Sequence, residues 1–385
     1  MKSHGLASIH EFLGDFIVYR NLVPVDGRLP PLRAIGGEAG VEPGAIPRKS
    51  EPAYARVIAH LLREARPLDG SRAEIRRLVY VGDTRLNDGT AFANICNAGG
   101  WPGLGFIAAE SDEPPELEFV PAYTEQAQVA TMCLANRWAM LADFERYCRE
   151  RDFVADESMA VVVDLDKTAL GARGRNDRVI DQARVEAVRR TVGGLLGADF
   201  DEDRFEEAYD LLNQQQYHTF TADNQDYLAY ICLILGSGLY DLEPLERRVR
   251  AGEMASFRQF IEEVDGRQAC LPLDLQAIHQ GILERVRRGD PTPFKAFRYN
   301  EYRVTVARMG CLGHDAAVSD LLREEIVITQ EVRAMALAWQ AQGALLFALS
   351  DKPDEASIPT ADLVALGFQP IHRTATHAVG YQERK

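Results

Sequence analysis

Three apolar runs in this chain stop abruptly at acids or a hydroxyl. Met159-Ala160-Val161-Val162-Val163 ends at Asp164, Leu78-Val79-Tyr80-Val81 ends at Gly82-Asp83, and Gly343 to Leu349 ends at Ser350. The first run is short, unbroken and β-branched, the pattern of a strand buried on both faces in a parallel sheet. Phe16 to Tyr19 predicts a further short strand. Apolar spacing of three and four predicts amphipathic helices over 181–196, 204–213, 255–264 and 275–288, and a helix-like segment runs from Gln330 to Trp339. Leu228 to Leu239 reads as a buried helix and its end. Thr124 to Arg151, rich in Ala, Leu, Met and Glu, reads as a helical connector. Val23 to Pro47, rich in Pro and Gly, predicts an ordered loop. Strands alternating with helices imply an α/β fold with a doubly wound parallel sheet.

The ends of such strands are where open α/β sheets carry their chemistry. Asp164 and Asp166 stand one residue apart, so alternation aims them differently. One can attack while the other moves protons, which is what phosphoryl transfer through a carboxylate needs. An acidic cluster ending a strand also reads as a turn with a helix cap. Asp83 and Asp88, in Gly82-Asp83-Thr84-Arg85-Leu86-Asn87-Asp88, supply hard oxygen donors, or a turn with an N-cap. Lys49 precedes an amphipathic helix; taken alone it is a solvated surface base. Ser350 alone is equally a capping serine.

Together these segments resemble the haloacid dehalogenase superfamily. Asp164-Leu165-Asp166-Lys167-Thr168 resembles its first motif, Ser350 its second, Lys49 its third, and Gly82-Asp83 with Asp88 its fourth. Ser50 stands where the proline after the motif lysine is usual, and Arg48 lies beside Lys49. The motifs run third, fourth, first, second, a single cyclic rotation of the usual order, so the chain reads as a circularly permuted member. Completion of each half by a second copy, as in a swapped homo-oligomer, stays open.

The resemblance implies a Rossmann-like core over 1–172 and 331–385, and a mostly α-helical cap over 173–330. It implies a phosphatase acting on a small phosphorylated metabolite through an aspartyl-phosphate. Asp164 is the nucleophile, Asp166 the acid and base, Thr168 and Ser350 position oxygens, and Lys49 offsets charge. Mg2+ is held by Asp164, the carbonyl of Asp166 and Asp83, with Asp88 nearby. The family's dehalogenases lack the second carboxylate and its P-type ATPases carry Thr there, so Asp166 points to phosphatase or phosphomutase chemistry. A phosphomutase or a non-catalytic binding module is the alternative.

Composition fits this picture. The 385 residues suit two structural domains, and 46% hydrophobic residues suit an ordinary soluble chain. A net charge of −15 argues against nucleic-acid partners. No apolar run is long enough to span a bilayer, and the N-terminus carries His10, Glu11 and Asp15 in place of a secretory signal; the expectation is a cytoplasmic protein. The six scattered cysteines predict buried free thiols. The Arg247–Arg250 and Arg285–Arg288 clusters read as solvated helix faces paired with Glu243, Glu246 and Glu284, with contact to an anionic substrate as the alternative, while Arg298, Tyr299, Tyr302 and Arg303 form either packing or a cradle for a phosphorylated sugar or nucleotide. His372 and His377 read either as pocket-lining residues or as edge-strand surface residues.

Overall fold

The computed structural model describes residues 1–122 and 130–381. Ten strands form among them: β1 (Lys2–Ala7), β2 (Ile17–Val18), β3 (Arg77–Gly82), β4 (Gly103–Ala108), β5 (Leu117–Ala122), β6 (Ala130–Ala135), β7 (Met159–Asp164), β8 (Ile328–Thr329), β9 (Leu345–Leu349) and β10 (Thr376–Gly380). Seven of them make one sheet in the order β2-β9-β7-β3-β4-β6-β5, in which only β5 is antiparallel to its neighbour.

The fold is therefore α/β with a mostly parallel sheet of Rossmann-like type. The valine run forms β7 at the middle of the sheet, and every residue of it is buried. Val161 pairs with Val79 of β3 on one side, and Val163 with Ala348 of β9 on the other. Branched side chains fill both faces of that strand, which is why it carries no polar residue before Asp164. The helix Pro52–Leu68 opens with proline at its first position, where no intrahelical donor is lost. Its Tyr54, Val57, Ile58, Leu61, Leu62 and Ala65 form one buried stripe, in a core cluster shared with Leu78, Tyr80, Ala160, Val162, Leu345 and Phe347.

A second, three-stranded sheet runs β1-β10-β8, with β1 antiparallel and β8 parallel to β10. His377 is thus on a central strand and fully buried, and His372 is buried as well, contrary to the surface reading of both. His377 Nδ1 faces buried Glu325 at 2.9 Å, and His372 lies between the Tyr19 hydroxyl and Asp15, each at 3.3 Å.

The helical connector expected over 124–151 is corrected. Residues 124–129 lie outside the described residues, Ala130–Ala135 is strand β6, and a short 3-10 turn at Trp138–Met140 leads into an α-helix that begins only at Leu141. Ala, Met and Leu are good helix formers, but hydrogen bonding to β4 and β5 overrides that weak preference.

The chain divides into two compact units, Met1–Gln182 with Thr305–Lys385, and Ala183–Val304. The second is narrower than the cap expected over 173–330. Residues on either side of it belong to the first unit through hydrogen bonds: Asn176 Nδ2 donates to the carbonyls of Leu322 and Glu325, and Ile326 N donates to Arg308 O. The second unit is helical, with Asp201, Asn224 and Ser256 capping helices at their N-termini. Within it Arg298 is buried between Asp226 (2.5 Å) and Glu301 (2.7 Å), so it is packing and not a cradle for an anion. Arg250 pairs with Glu246, Arg288 with Glu284 and Arg248 with Glu263, the solvated ion-paired faces expected of the basic clusters. Cys96, Cys133, Cys148 and Cys232 are buried thiols, whereas Cys270 and Cys311 are exposed.

Candidate active site

The chain leaves β7 in one direction along the sheet, toward β9, and leaves β3 in the other, toward β4. The ends of β7 and β3 thus flank the point where the winding reverses, the crevice in which open α/β sheets bind ligands. Asp164 is the last residue of β7, and Asp83 follows the last residue of β3. Ser350 follows β9, whose Leu349 is in register with Asp164.

Asp83, Asp88 and Asp164 are all buried, and each offers a carboxylate oxygen within 4.8 Å of the others. Lys49, 2% exposed, lies among them: its Nζ is 2.5 Å from Asp164 Oδ1 and 2.6 Å from Asp88 Oδ1. Arg48 next door is exposed, so of the two bases it is Lys49 that lies in the cluster.

Asp88 is held on both sides. Its Oδ1 accepts from Lys49 and, at 3.0 Å, from the Tyr80 hydroxyl; its Oδ2 accepts from the Asp83 amide, the Thr84 amide and the Thr84 hydroxyl at 3.1, 2.9 and 2.7 Å. A carboxylate so fully engaged serves first to fix Lys49 and the turn after β3. The approach depends on Gly82, where an added Cβ would come within 2.7 Å of the Asp88 side chain. Asp164 is used differently. Its Oδ1 meets Lys49, while its buried Oδ2 has no hydrogen-bond partner among the described residues.

Burial raises the pKa of Asp164 well above the usual carboxylate range, and the charges of Asp88 and Asp83 add to that against the pull of Lys49. Burial and the charge of Asp88 push Asp83 up to about 7, although Arg173 pairs with it. Burial acts the same way on Asp88, but Lys49 and the hydrogen bonds from its neighbours outweigh it and hold that group low. Burial works against the charge of Lys49; Asp164 and Asp88 overcome it and raise its pKa well above that of a free lysine.

The turn after Asp164 folds back tightly. Ala169 N donates to Asp164 O and Leu170 N to Leu165 O, and Lys167 takes the left-handed φ of +66°. Lys167 is tethered to Asp181 at 2.8 Å. That leaves Asp166 partly exposed beside the buried Asp164. Thr168 is fully buried, with no partner for its hydroxyl among the described residues. The Ser350 hydroxyl accepts from Lys352 N at 3.0 Å, the turn-opening bond expected of a serine there, and its proton is left for another acceptor.

Four site residues escaped sequence reasoning. Tyr80 and Thr84 bind Asp88, and Asn87 reaches Asp351 after β9 at 2.8 Å. Their signal was present, since all three sit inside or just before the Gly82–Asp88 segment. The fourth is Arg173, whose Nε donates to Asp83 Oδ2. It lies ninety residues away in a loop whose composition is that of any polar turn, and nothing local marks it.

The architecture and site together define a Rossmann-like α/β protein with a buried carboxylate cluster at its strand-order switch. Comparison with protein-family models, with curated proteins and with solved structures finds no match.

Proposed function

We propose that this chain is a magnesium-dependent phosphohydrolase of the haloacid dehalogenase type, with its motifs in cyclically permuted order, acting on a small phosphorylated metabolite. The observation that carries this reading is the position of Lys49 between Asp164 and Asp88, beside Asp83, at the ends of adjacent parallel strands. The strand order β9-β7-β3 lines up Ser350, Asp164 and Asp83 along one edge, as a site built from those motifs requires. Lys49, Asp83, Asp88 and Asp164 meet within a single chain.

The residues present suit a hard divalent cation: buried carboxylates close together, one with an oxygen that has no partner among the described residues. Asp164 and Asp83, with the backbone carbonyl of Asp166, would hold magnesium, and Asp88 would orient Lys49. Such an ion supplies charge neutralisation between an anionic nucleophile and a phosphoryl group.

Asp164 then attacks phosphorus in line, its P–O bond to the protein forming as the bond to the leaving oxygen breaks. Asp166, nearer solvent, gives that oxygen its proton. It takes one back from the water that attacks phosphorus and releases inorganic phosphate from Asp164. Lys49, paired with the nucleophile, favours its anionic form against the opposing effect of burial and offsets charge on the transferring oxygens. The hydroxyls of Thr168 and Ser350 are donors for those oxygens.

The test is phosphate release from a panel of phosphorylated metabolites and an aryl phosphate, with and without magnesium, alongside Asp164→Asn. Turnover that needs magnesium and disappears in the variant is the expected result. Turnover that survives Asp164→Asn removes the nucleophile assignment. A folded protein silent on the whole panel removes the hydrolase reading.

A further inference from the structure

We propose that Arg173 is the built-in counter-ion of the carboxylate cluster, and that a divalent cation takes its place at the site by displacing the guanidinium from Asp83. This rests on the metal-binding part of the proposed function but goes beyond it, because it assigns the cluster a resting state.

The contact is built into the fold. Arg173 Nε donates to Asp83 Oδ2, and Asp83 is 8% exposed. The arginine's main chain is fixed on three sides: its amide donates to Lys167 O at 2.8 Å, and its carbonyl accepts from Glu110 N at 2.9 Å and from Trp138 Nε1 at 3.1 Å. Gly174 follows with φ +75°, and an added Cβ there would stand 1.9 Å from the Glu110 carbonyl oxygen. Arg175 is buried between Glu110 at 2.7 Å and Glu331 at 2.9 Å. The loop is thereby clamped, and Arg173 is held beside Asp83 whatever its side chain does.

The side chain itself is not clamped. It is 35% exposed, so the guanidinium can leave for solvent without breaking apolar packing. Charge balance gives the reason for it to be there. Among the described residues three buried carboxylates face two cationic side chains, Lys49 and Arg173, so with all three ionised, as ligation of a cation requires, the cluster carries an excess of negative charge. Exchange of the guanidinium for a divalent cation balances the cluster, whereas a divalent cation alongside the guanidinium would leave it positive. Two cations at one carboxylate oxygen also repel each other at short range. Arginine and metal are thus alternatives at Asp83. In a cell the exchange would set the cation concentration at which the site fills.

The experiment uses the full chain, with Mn2+ as the spectroscopic probe and Mg2+ in calorimetry, comparing wild type, Arg173→Met and Arg173→Lys. The methionine keeps the length of the stem and loses the charge. Arg173→Met should bind Mn2+ about tenfold or more tightly than wild type, the scale of one unscreened like charge near an ion. Its melting temperature in EDTA should fall below that of wild type, and the gap should close when Mn2+ saturates the site. Arg173→Lys should lie between the two. A variant that folds only with Mn2+ supports the exchange equally. Equal or weaker Mn2+ binding by Arg173→Met overturns the inference and leaves the phosphohydrolase reading standing. Failure of wild type and variant alike to bind either ion overturns both.

Discussion

Lys49 and Asp164 are separated by 115 residues of chain, yet Nζ lies 2.5 Å from Oδ1 with both groups shut away from solvent. Asp88 completes the arrangement at 2.6 Å, so a single ammonium ties the end of β7 to the first turn of the helix Asn87–Gly99 that follows β3. Breaking a buried ion pair by removing one partner leaves an uncompensated charge, typically costing about 3–5 kcal/mol. Lys49→Met should lose stability on that scale in urea denaturation. Adding Asp88→Asn should recover part of the loss, because one of the stranded charges goes. Additive losses in the double variant would mean that the two groups are not coupled.

Magnesium should raise the melting temperature of the wild-type protein, and Asp83→Asn should abolish the rise. Asp88→Asn should behave differently. Its side chain accepts five hydrogen bonds from donors, two of them main-chain amides, and an amide NH2 cannot accept from them. That variant should lose roughly 1–3 kcal/mol in EDTA, before any metal is added. A wild-type protein and an Asp83→Asn variant that respond alike to magnesium would show that the carboxylate cluster is not the ion's site.

Gly174 and Gly44 have similar positive φ, +75° and +80°, but differ in surroundings. At Gly44 an added methyl meets nothing within 4 Å, whereas at Gly174 it would collide with the Glu110 main chain. Gly44→Ala should therefore show only the backbone penalty, about 1–2 kcal/mol. Gly174→Ala should lose more than that, and should also alter divalent-cation affinity, because the loop carries Arg173. Equal losses in thermal or urea unfolding would show that the loop yields freely.

Burial pushes the His372 imidazole down to about 4, only partly opposed by Asp15. An unfolded imidazole titrates near ~6.5, so between those values the unfolded chain binds the proton and the folded one resists it. Stability contributed by this group is complete above pH ~6.5, declines as the pH falls toward 4, and is lost below that. The whole range is worth about 3 kcal/mol at most. Urea midpoints of wild type and His372→Gln should converge as the pH drops through this window. Parallel curves would mean that the histidine is not buried neutral.

Much of the site could be read in the chain because its parts announce themselves locally. A run of branched residues that stops at Asp164, or at Gly82-Asp83, carries both the strand and the position of the acid. The helix Pro52–Leu68 was legible from its apolar stripe and opening proline, and the helices Glu202–Leu212 and Gln225–Gly236 from an apolar stretch that begins within a turn of a capping Asp201 or Asn224. What stayed hidden depends on distant partners. Strand β6 has helix-forming residues and is a strand because β4 and β5 flank it. His377 looks like a surface residue until β1 and β8 enclose its strand. Arg173 has no local pattern, because its partner is a carboxylate on another strand's end.

The order of the strands also fixes when the sheet can close. β7 has β3 on one side early in synthesis, but its other neighbour, β9, follows only after the whole 183–304 unit has been made. At ~5–20 residues per second, a growing chain leaves that edge of β7 unpaired for roughly 10–40 s. An apolar parallel strand with an open edge is a site for wrong pairing during that interval. Asp164, Lys49, Asp83 and Asp88 can meet before β9 arrives, so their ion pairs can hold the growing sheet in register while the ribosome is still at work. The carboxylate cluster would then serve first as the brace on which the sheet's last strand is laid.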